Sequence, residues 1–502
     1  MGVFNKLSDS IKKGIRGWLN IQPSSPYSIQ INEVLDFELS AIRNRIWYRG
    51  DSNELEQMYQ QVADYADKYK FWAARSTPGM EMRKIHTGLP GLIVRILSSI
   101  VLADMNDFEF NSPAQGQLWK EIEEDNAFKK VVERALKEAL YIGDGAFKIT
   151  IDTKVSKYPM IEWVPGERVE LITRSGRLQK VIFKTRIDHE HKVYTLYEHY
   201  GYGTVTNEVY QDNMLVDFKT FPPTAALRDY EFDKNLMLAV PFKVFDSAKW
   251  DYRGGSIFDG KLDNFDAFDE SWSQWMDALR KGRAVKYIPE DLIPKNAENG
   301  ELMKPNPFDN SFLKIKAGFS EDKDSQIDIS QPDIPFESYL SSYTTALDLC
   351  LQGVISPSTL GIDMKKLDNA EAQREKEKAT LYTRNAIVEA LQEMLPDLVE
   401  SAINAYHVLN NQSTEDVEVS IPFGEYANPS FESQVETVSK ARTGGIMSIE
   451  ACVDELYGDS KEDDWKTEEV TRLKSEQGLL QTDPPSVTGY DQKTGDEYES
   501  TG

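Results

Sequence analysis

Cysteine is nearly missing from this chain of 502 residues: Cys350 and Cys452 stand alone. Two cysteines so far apart exclude a disulfide framework and fit a reducing compartment, and both are expected to pack as small hydrophobes. Histidine is almost as scarce, with five in all. His189 and His191 alternate with Asp188 and Glu190 and would share a face of a strand, but no cysteine stands near to complete a zinc set, so no metal is expected there. Long apolar runs are also lacking. The most apolar stretch, 89–103, is interrupted by Pro90, Gly91, Arg95, Ser98 and Ser99. It falls short of the roughly 20 residues of a membrane span and predicts a buried helix. The first residues hold no apolar core followed by a small-residue cleavage site, and Lys6 stands where a myristoylation motif requires Ser or Thr; the protein is expected to be made and kept in a cytoplasm, without stable membrane association. Positive charge is outnumbered, 57 Lys and Arg against 83 Asp and Glu, for a net charge of −26. A protein that grips a duplex carries a basic stripe, and none is legible here, so any contact with nucleic acid should be loose. No Walker-type loop occurs. Gly143-Asp144-Gly145 follows a helical pattern and precedes a strand pattern, the reverse of a phosphate loop, and reads as a turn.

What is present is organised by periodicity. Residues 1–20 form a basic amphipathic segment in which Phe4, Leu7, Ile11, Ile15 and Trp18 make one face and Lys6, Lys12, Lys13 and Arg16 supply the only clear positive patch. Its spacing suits a membrane surface or a partner, but a helix with so few cations anchors weakly to lipid, which favours docking on this protein or a neighbouring subunit. Helical patterns cover 32–47, 52–74, 84–105 and 117–140, broken by Gly50-Asp51, Thr77-Pro78-Gly79 and Asn111-Ser112-Pro113. From 145 to 247 the texture turns β: 147–151, 180–187 and 192–200 are rich in β-branched and aromatic residues, and predict an antiparallel, hairpin-connected sheet beside a helical layer.

The strongest signal lies between 260 and 410. Phe265, Phe268, Trp272, Trp275 and Leu279 follow one another at +3, +4, +3, +4, a seam on one face of a helix. Asp263, Asp266, Glu270 and Asp277 follow one position away and read as a parallel acidic stripe, solvated and available to something else. A segment with short β-like runs, 284–288, 312–316 and 327–329, is punctuated by prolines and followed by a second helix bearing Phe336, Tyr339, Leu340, Tyr343, Leu347 and Cys350 on one face. The loop Ser356-Pro357-Ser358-Thr359-Leu360-Gly361 then leads through Lys365 and Lys366 to Asp368, which with Glu371 reads as a capping box. The next helix reaches about Leu395, meets Pro396, and continues or restarts to Leu409. The acidic end, rich in Gly, Ser, Thr and Pro, has the composition of a disordered tail.

In order, these features resemble the portal proteins, or head-tail connectors, of long-tailed, siphovirus-type bacteriophages. The residues that carry the likeness are Tyr141-Ile142-Gly143-Asp144-Gly145-Ala146-Phe147-Lys148, then Gly255-Ser256-Ile257-Phe258-Asp259-Gly260 leading to Asp263-Asn264-Phe265-Asp266-Ala267-Phe268-Asp269-Glu270. Gly282-Arg283-Ala284-Val285-Lys286-Tyr287-Ile288-Pro289-Glu290 and Pro357-Ser358-Thr359-Leu360-Gly361 ahead of Glu371-Ala372-Gln373-Arg374-Glu375 complete it. The likeness spans roughly 30–460 in element order, and none of its motifs is catalytic.

The resemblance implies an α+β, ring-forming portal-type fold. An N-terminal arm (1–28) would lead into a helical and antiparallel-β wing (29–254). Two stem helices (255–283 and 333–353) would flank a small α/β clip (284–332). A tunnel loop (354–369) would follow, then a long inner-wing helix with its return (370–429), a helical crown (430–478) and an acidic tail (479–502). It further implies a ring of about twelve copies at one capsid vertex of a virion assembled in a bacterial cytoplasm, through which double-stranded DNA is packaged and ejected. The implied partners are major capsid and scaffolding proteins, the terminase large subunit, and a head-completion or adaptor protein. Lys365, Lys366, Ser358 and Thr359 would meet DNA. Asp263, Asp266, Glu270 and Asp277 would form the acidic stem stripe, and Phe265, Phe268, Trp272, Trp275, Leu279, Tyr339 and Tyr343 the subunit packing. No cofactor, metal or catalytic residue is implied. Two rivals remain at this stage: a metal-dependent phosphoesterase built on Asp259, Asp263 and Asp266, and a peripheral membrane scaffold using residues 1–20.

Overall fold

A computed structural model describes residues 35–62, 70–75, 82–212, 214–282, 333–362, 370–424, 431–457, 461 and 463–476, and between 283 and 332 the strand residues 285–289, 312–315 and 328–330 with positions 293, 295, 300 and 302. The N-terminal arm, Lys365, Lys366, Asp368 and the acidic tail lie outside the described residues. The chain divides into two compact units, Met1–Phe423 and Gly424–Gly502.

The first unit opens with α1 (Phe37–Arg49), started by Asp36, whose carboxylate accepts from the Leu39 N–H at 2.8 Å, and ended by Gly50 in the left-handed region. Helix α2 (Ser52–Val62) follows, then α3 (Leu89–Ala103), the apolar stretch, which buries Leu89, Ile93, Val94, Leu97 and Val101. The single helix expected over 117–140 is two, α4 (Pro113–Asn126) and α5 (Phe128–Ile142). Ala127 between them takes φ 46°, and the Asn126 side chain leaves the helix pattern to bond the Pro159 carbonyl and the Ile161 N–H.

Strand β1 (Glu109–Phe110) pairs with a distant segment described below. Helix α5 runs into β2 (Asp144–Thr150) with Gly143 alone between them, so Gly143-Asp144-Gly145 is a helix-to-strand joint and not a free turn. Asp144 there accepts from the Gly254 N–H (2.8 Å) and from Arg253 (2.7 Å). Strands β3 (Met160–Pro165), β4 (Val169–Arg174), β5 (Arg177–His189), β6 (Lys192–Gly201), β7 (Thr204–Gln211), β8 (Met214–Val216), β9 (Tyr230–Glu231), β10 (Ala239–Lys243), β11 (Phe245–Asp246) and β12 (Gly254–Gly255) follow. They form an antiparallel sheet β10-β2-β3, an antiparallel sheet β4-β5-β6-β7-β8 with β9 beside β7, and the pair β11-β12. The β4–β5 turn places Ser175 and Gly176 both at positive φ, the geometry of a tight hairpin.

Beyond β12 come α6 (Leu262–Lys281), β13 (Val285–Pro289), β14 (Phe312–Ile315), β15 (Asp328–Ser330), α7 (Phe336–Leu351), α8 (Ala370–Leu409) and β16 (Val419–Ser420), the partner of β1. The three inserted strands form one sheet in the order β14-β13-β15, parallel on one side and antiparallel on the other. Helix α8 is continuous through Pro396, over 40 residues. Its buried face (Ile387, Leu391, Leu395, Leu398, Ala402) holds the helix in place on the core where a proline alone would break it. That core is one cluster shared by α1, α3, α5, α8 and the β10-β2-β3 sheet. A smaller one, Tyr194, Leu196, Val209 and Phe221, lies at the far end of the larger sheet.

The second unit contains α9 (Phe431–Thr443), α10 (Ile449–Tyr457) and α11 (Asp463–Glu476). Tyr457 meets Trp465 edge-on at 5.0 Å, and the pairs Lys466–Asp454 and Lys474–Glu450 tie α11 to α10. Among the described residues no helix is long and apolar enough to cross a membrane.

Candidate functional site: a clamped helical hairpin

The aromatic seam read from the sequence lies on α6 and closes against α7 within one chain. At the root, Lys261 donates to the carbonyls of Leu349 (3.0 Å) and Gln352 (2.7 Å), and Asn264 to Leu349 (3.1 Å). These donors satisfy carbonyls that the last turn of α7 leaves open, and the lysine charge opposes the negative end of that helix. Outward from the root, Phe268 meets Tyr343 at 4.9 Å, Trp272 meets Tyr343 at 5.5 Å, and Trp275 stacks on Tyr339 at 6.5 Å and meets Phe336 at 5.8 Å. At the far end a side chain on Gly282 would collide with Ile334, so the two ends of the inserted segment touch.

Phe265, Phe268, Trp272, Trp275, Tyr339 and Tyr343, expected to pack one subunit on another, have partners within the chain. They pack α6 on α7, and Phe265 turns inward to Trp47 and Phe258. Leu279, at the tip, stays 44% exposed.

The four acids of the stripe have different surroundings within the chain: Asp263 is 77% exposed at its side chain. Asp266 is buried and accepts from the N–H groups of Phe71 (2.8 Å) and Trp72 (3.3 Å); burial pushes its carboxyl up to about 6. Asp263 pairs with Lys70, and Asp277 with Arg280 and Lys281 on its own helix. Of the four, Glu270 has a neutral neighbour, Gln274 at 2.8 Å. The physical reason is the chain at 70–73 and 84–87, which crosses α6 as a strap and brings unpaired N–H groups that need acceptors.

Sequence reading missed the centre of this clamp. Asp269, 1% exposed, accepts from Trp72 Nε1 (3.2 Å), the Thr87 N–H and hydroxyl (both 2.9 Å), and lies 2.6 Å from His86 Nδ1. Ser273 accepts from the Ile85 N–H at 2.9 Å. Trp47 and Trp72 stand edge-on to the His86 ring. The available signal was Asp266, Asp269 and Ser273 at i, i+3 and i+7: short polar side chains at helical spacing beside an apolar seam are what a buried, hydrogen-bonded face accepts.

These contacts also place the three acids named for a phosphoesterase. Asp259 accepts from the Ser256 N–H at 3.0 Å, Asp263 faces Lys70, and Asp266 faces backbone; the three carboxylates do not converge. Among the described residues no three acidic, histidine or cysteine groups could hold a metal. His189 ends β5 with its ring 5.4 Å from Phe221, and His191 lies in the following turn.

Beyond α7, the Ser356 hydroxyl meets those of Ser358 (2.7 Å) and Thr359 (2.8 Å), Thr359 meets Thr380 (3.2 Å), and the Ser356 N–H donates to Thr380 (2.8 Å). Ser358 and Thr359, expected to meet DNA, have hydroxyls engaged in fixing the start of this loop to α8.

No known protein family matches the chain, and no curated protein matches it. Among solved structures, it is similar to a chain in the neck of a native GTA particle computed with C12 symmetry, at 13% identity and a TM-score of 0.40, covering 74% of this chain and 91% of that one. A chain in the virion of a native gene transfer agent (GTA) particle gives 11% identity and a TM-score of 0.40 over 87% and 96%. One in the neck of an empty GTA particle computed with C6 symmetry gives 12% and 0.36 over 72% and 88%.

Proposed function

We propose that this chain is the subunit of a portal-type ring, about twelve copies around a channel through which double-stranded DNA is packaged into a phage-like capsid and later ejected. The observation that carries this reading is the hairpin. Two long helices, sealed by an aromatic ladder and clamped at the root, hold out a small β insertion whose two ends meet. Such a part suits a stem with a docking element at its tip.

In this reading 255–283 and 333–353 are the stem, and 284–332 is the clip that receives the terminase large subunit and afterwards a head-completion or adaptor protein. The segment 354–369 is the tunnel loop that brings Lys365 and Lys366 to DNA, and the wing and crown contact the major capsid and scaffolding proteins. A closed ring needs two different faces per subunit. Because the seam is closed in cis, the neighbour-facing side is a flank of the hairpin, where a shallow trough of about 380 Å³ between α6 and α7 is lined by Asn264, Ala267, Ser271, Ser341 and Thr345. Small side chains there permit close approach of a second hairpin. A ring of chains at −26 each repels phosphate and lets a duplex slide.

Negative-stain electron microscopy of the purified protein tests the reading. Closed rings with a central hole wide enough for a duplex are expected, and uniform monomers or dimers across concentration and salt would overturn it. Lys365→Ala with Lys366→Ala should abolish packaging and leave ring assembly intact.

A further inference from the structure

We propose that an acidic cleft along α8 is the seat of residues 4–18 of the same chain, bound as a basic amphipathic helix. The cleft, about 480 Å³, lies between α8 and β10 and continues past Asp397, Val240 and Pro241 into a second hollow of about 210 Å³. Its lining is mixed, with Leu178, Met237, Val240 and Met394 supplying the apolar part. Its rim is acidic: Glu393, Asp397 and Glu400 stand at i, i+4 and i+7 on α8, with Glu415 and Asp416 opposite. Lys243, the one cation on its wall among the described residues, is paired with Asp246 at 2.6 Å. Burial, and then the neighbouring carboxylates, raise Asp397 and Glu400 above the usual range.

The segment 4–18 matches this surface in both respects. Phe4, Leu7, Ile11, Ile15 and Trp18 give an apolar stripe for the apolar part of the lining, and Lys6, Lys12, Lys13 and Arg16 flank it with the charge the rim lacks. The chain also enters the described structure beside the cleft. The Phe37 ring lies 3.8 Å from the Arg253 guanidinium, which is 2.7 Å from Asp144 on the cleft wall. Glu38 meets Lys184 at 3.0 Å, and Lys184 meets Glu170, the neighbour of wall residue Leu171, at 3.5 Å. The roughly 16 residues from 19 to 34 reach up to about 53 Å, ample for a return. The apolar trough between α1 and α2, lined by Leu35, Leu39, Ile42 and Met58, is the competing seat. It carries Arg43 and Glu54 and so lacks the acidic surplus.

The test is zero-length carbodiimide coupling of the full-length protein, unfolded and refolded together from ¹⁴N- and ¹⁵N-labelled batches so that any assembly holds both isotopes, read by mass spectrometry. Lys12 or Lys13 should couple to Asp397, Glu400 or Asp416 within a single isotope. Amide exchange over 4–18 should quicken roughly tenfold or more in E393K/D397K/E400K, and in the milder E393Q/D397N/E400Q by less. Adding K12E, K13E and R16E to the first variant should restore protection. Coupling confined to Glu54, coupling between isotopes, or exchange unmoved by the variants would each overturn the proposal. So would binding of the segment to phosphatidylserine vesicles with no coupling to α8. None of these readouts depends on ring formation.

Discussion

Two helices of this chain carry acids at helical spacing beside an apolar stripe, and the fold treats them in opposite ways. On α6, Asp266 and Asp269 are enclosed and their oxygens are occupied by N–H and hydroxyl donors from the strap at 70–73 and 84–87. On α8, Glu393, Asp397 and Glu400 line an open cleft whose one cation among the described residues, Lys243, is paired with Asp246. Spacing alone does not separate a structural acid from an interactive one. What separates them is whether another segment supplies donors, and the strap does so for α6 alone of the two. A buried carboxylate with four donors stabilises the fold, whereas an acidic rim whose cation is paired elsewhere weakens it slightly until a partner arrives.

The sharpest break of this contrast is Asp269→Ala. It leaves the Trp72 indole, the Thr87 donors and His86 without an acceptor in a closed interior, and should cost about 3–5 kcal/mol. Asp397→Ala should change stability by at most about 0.5 kcal/mol. Urea midpoints of the two variants measure the difference, and equal losses would abolish the distinction.

Asp266 gives the next effect. Its folded carboxyl titrates near 6 against an ordinary value of 3.8, so the folded state holds the additional proton. The stability this group contributes is complete below about pH 4 and is lost as the pH rises through about 6. The difference between wild type and Asp266→Asn should therefore move against the wild type across that window, by up to ~3 kcal/mol, and a flat difference would show that Asp266 titrates normally.

Trp275→Ala removes the outer rungs of the ladder to Phe336 and Tyr339. It should cost about 2 kcal/mol and speed amide exchange in α7 before it reaches α5. Protection lost equally in both helices would mean that the hairpin and the main core unfold as one.

The smallest effect is chemical. Cys350 is fully buried in the layer that holds Asp269, and burial with that neighbouring charge pushes its thiol up to about 12. Cys452 is half-buried. A thiol reagent at neutral pH should modify Cys452 in the native protein and leave Cys350 untouched; equal rates would contradict the enclosure of the root.

Much of this was legible from side-chain periodicity. The seam from Phe265 to Leu279 specified α6, and the alternation from Lys180 to Tyr200 marked two strands of the larger sheet. What sequence could not give was the partner of each face. The seam looked available to a second subunit because Tyr339 and Tyr343 lie some 70 residues away, beyond an insertion of unknown course. The acids looked solvated because the strap that receives them reads as the end of one helix and the start of another. Ala127 broke a helix that composition alone favours, since the break depends on Asn126 finding the backbone at Pro159 and Ile161. The cleft on α8 escaped notice because its opposite wall comes from Glu415 and Asp416 in a return loop.

The clamp also has a mechanical meaning. Helix α6 is about 30 Å long, and the strap's described contacts fall on its first 12 residues, Leu262 to Ser273. The hairpin is thus a cantilever. A sideways push at the Gly282 end bends it most at Asp269 and Ser273, where the support stops. From there the strap runs through Thr87 directly into Leu89, the first residue of α3, so torque applied at the tip is handed to a helix of the main core.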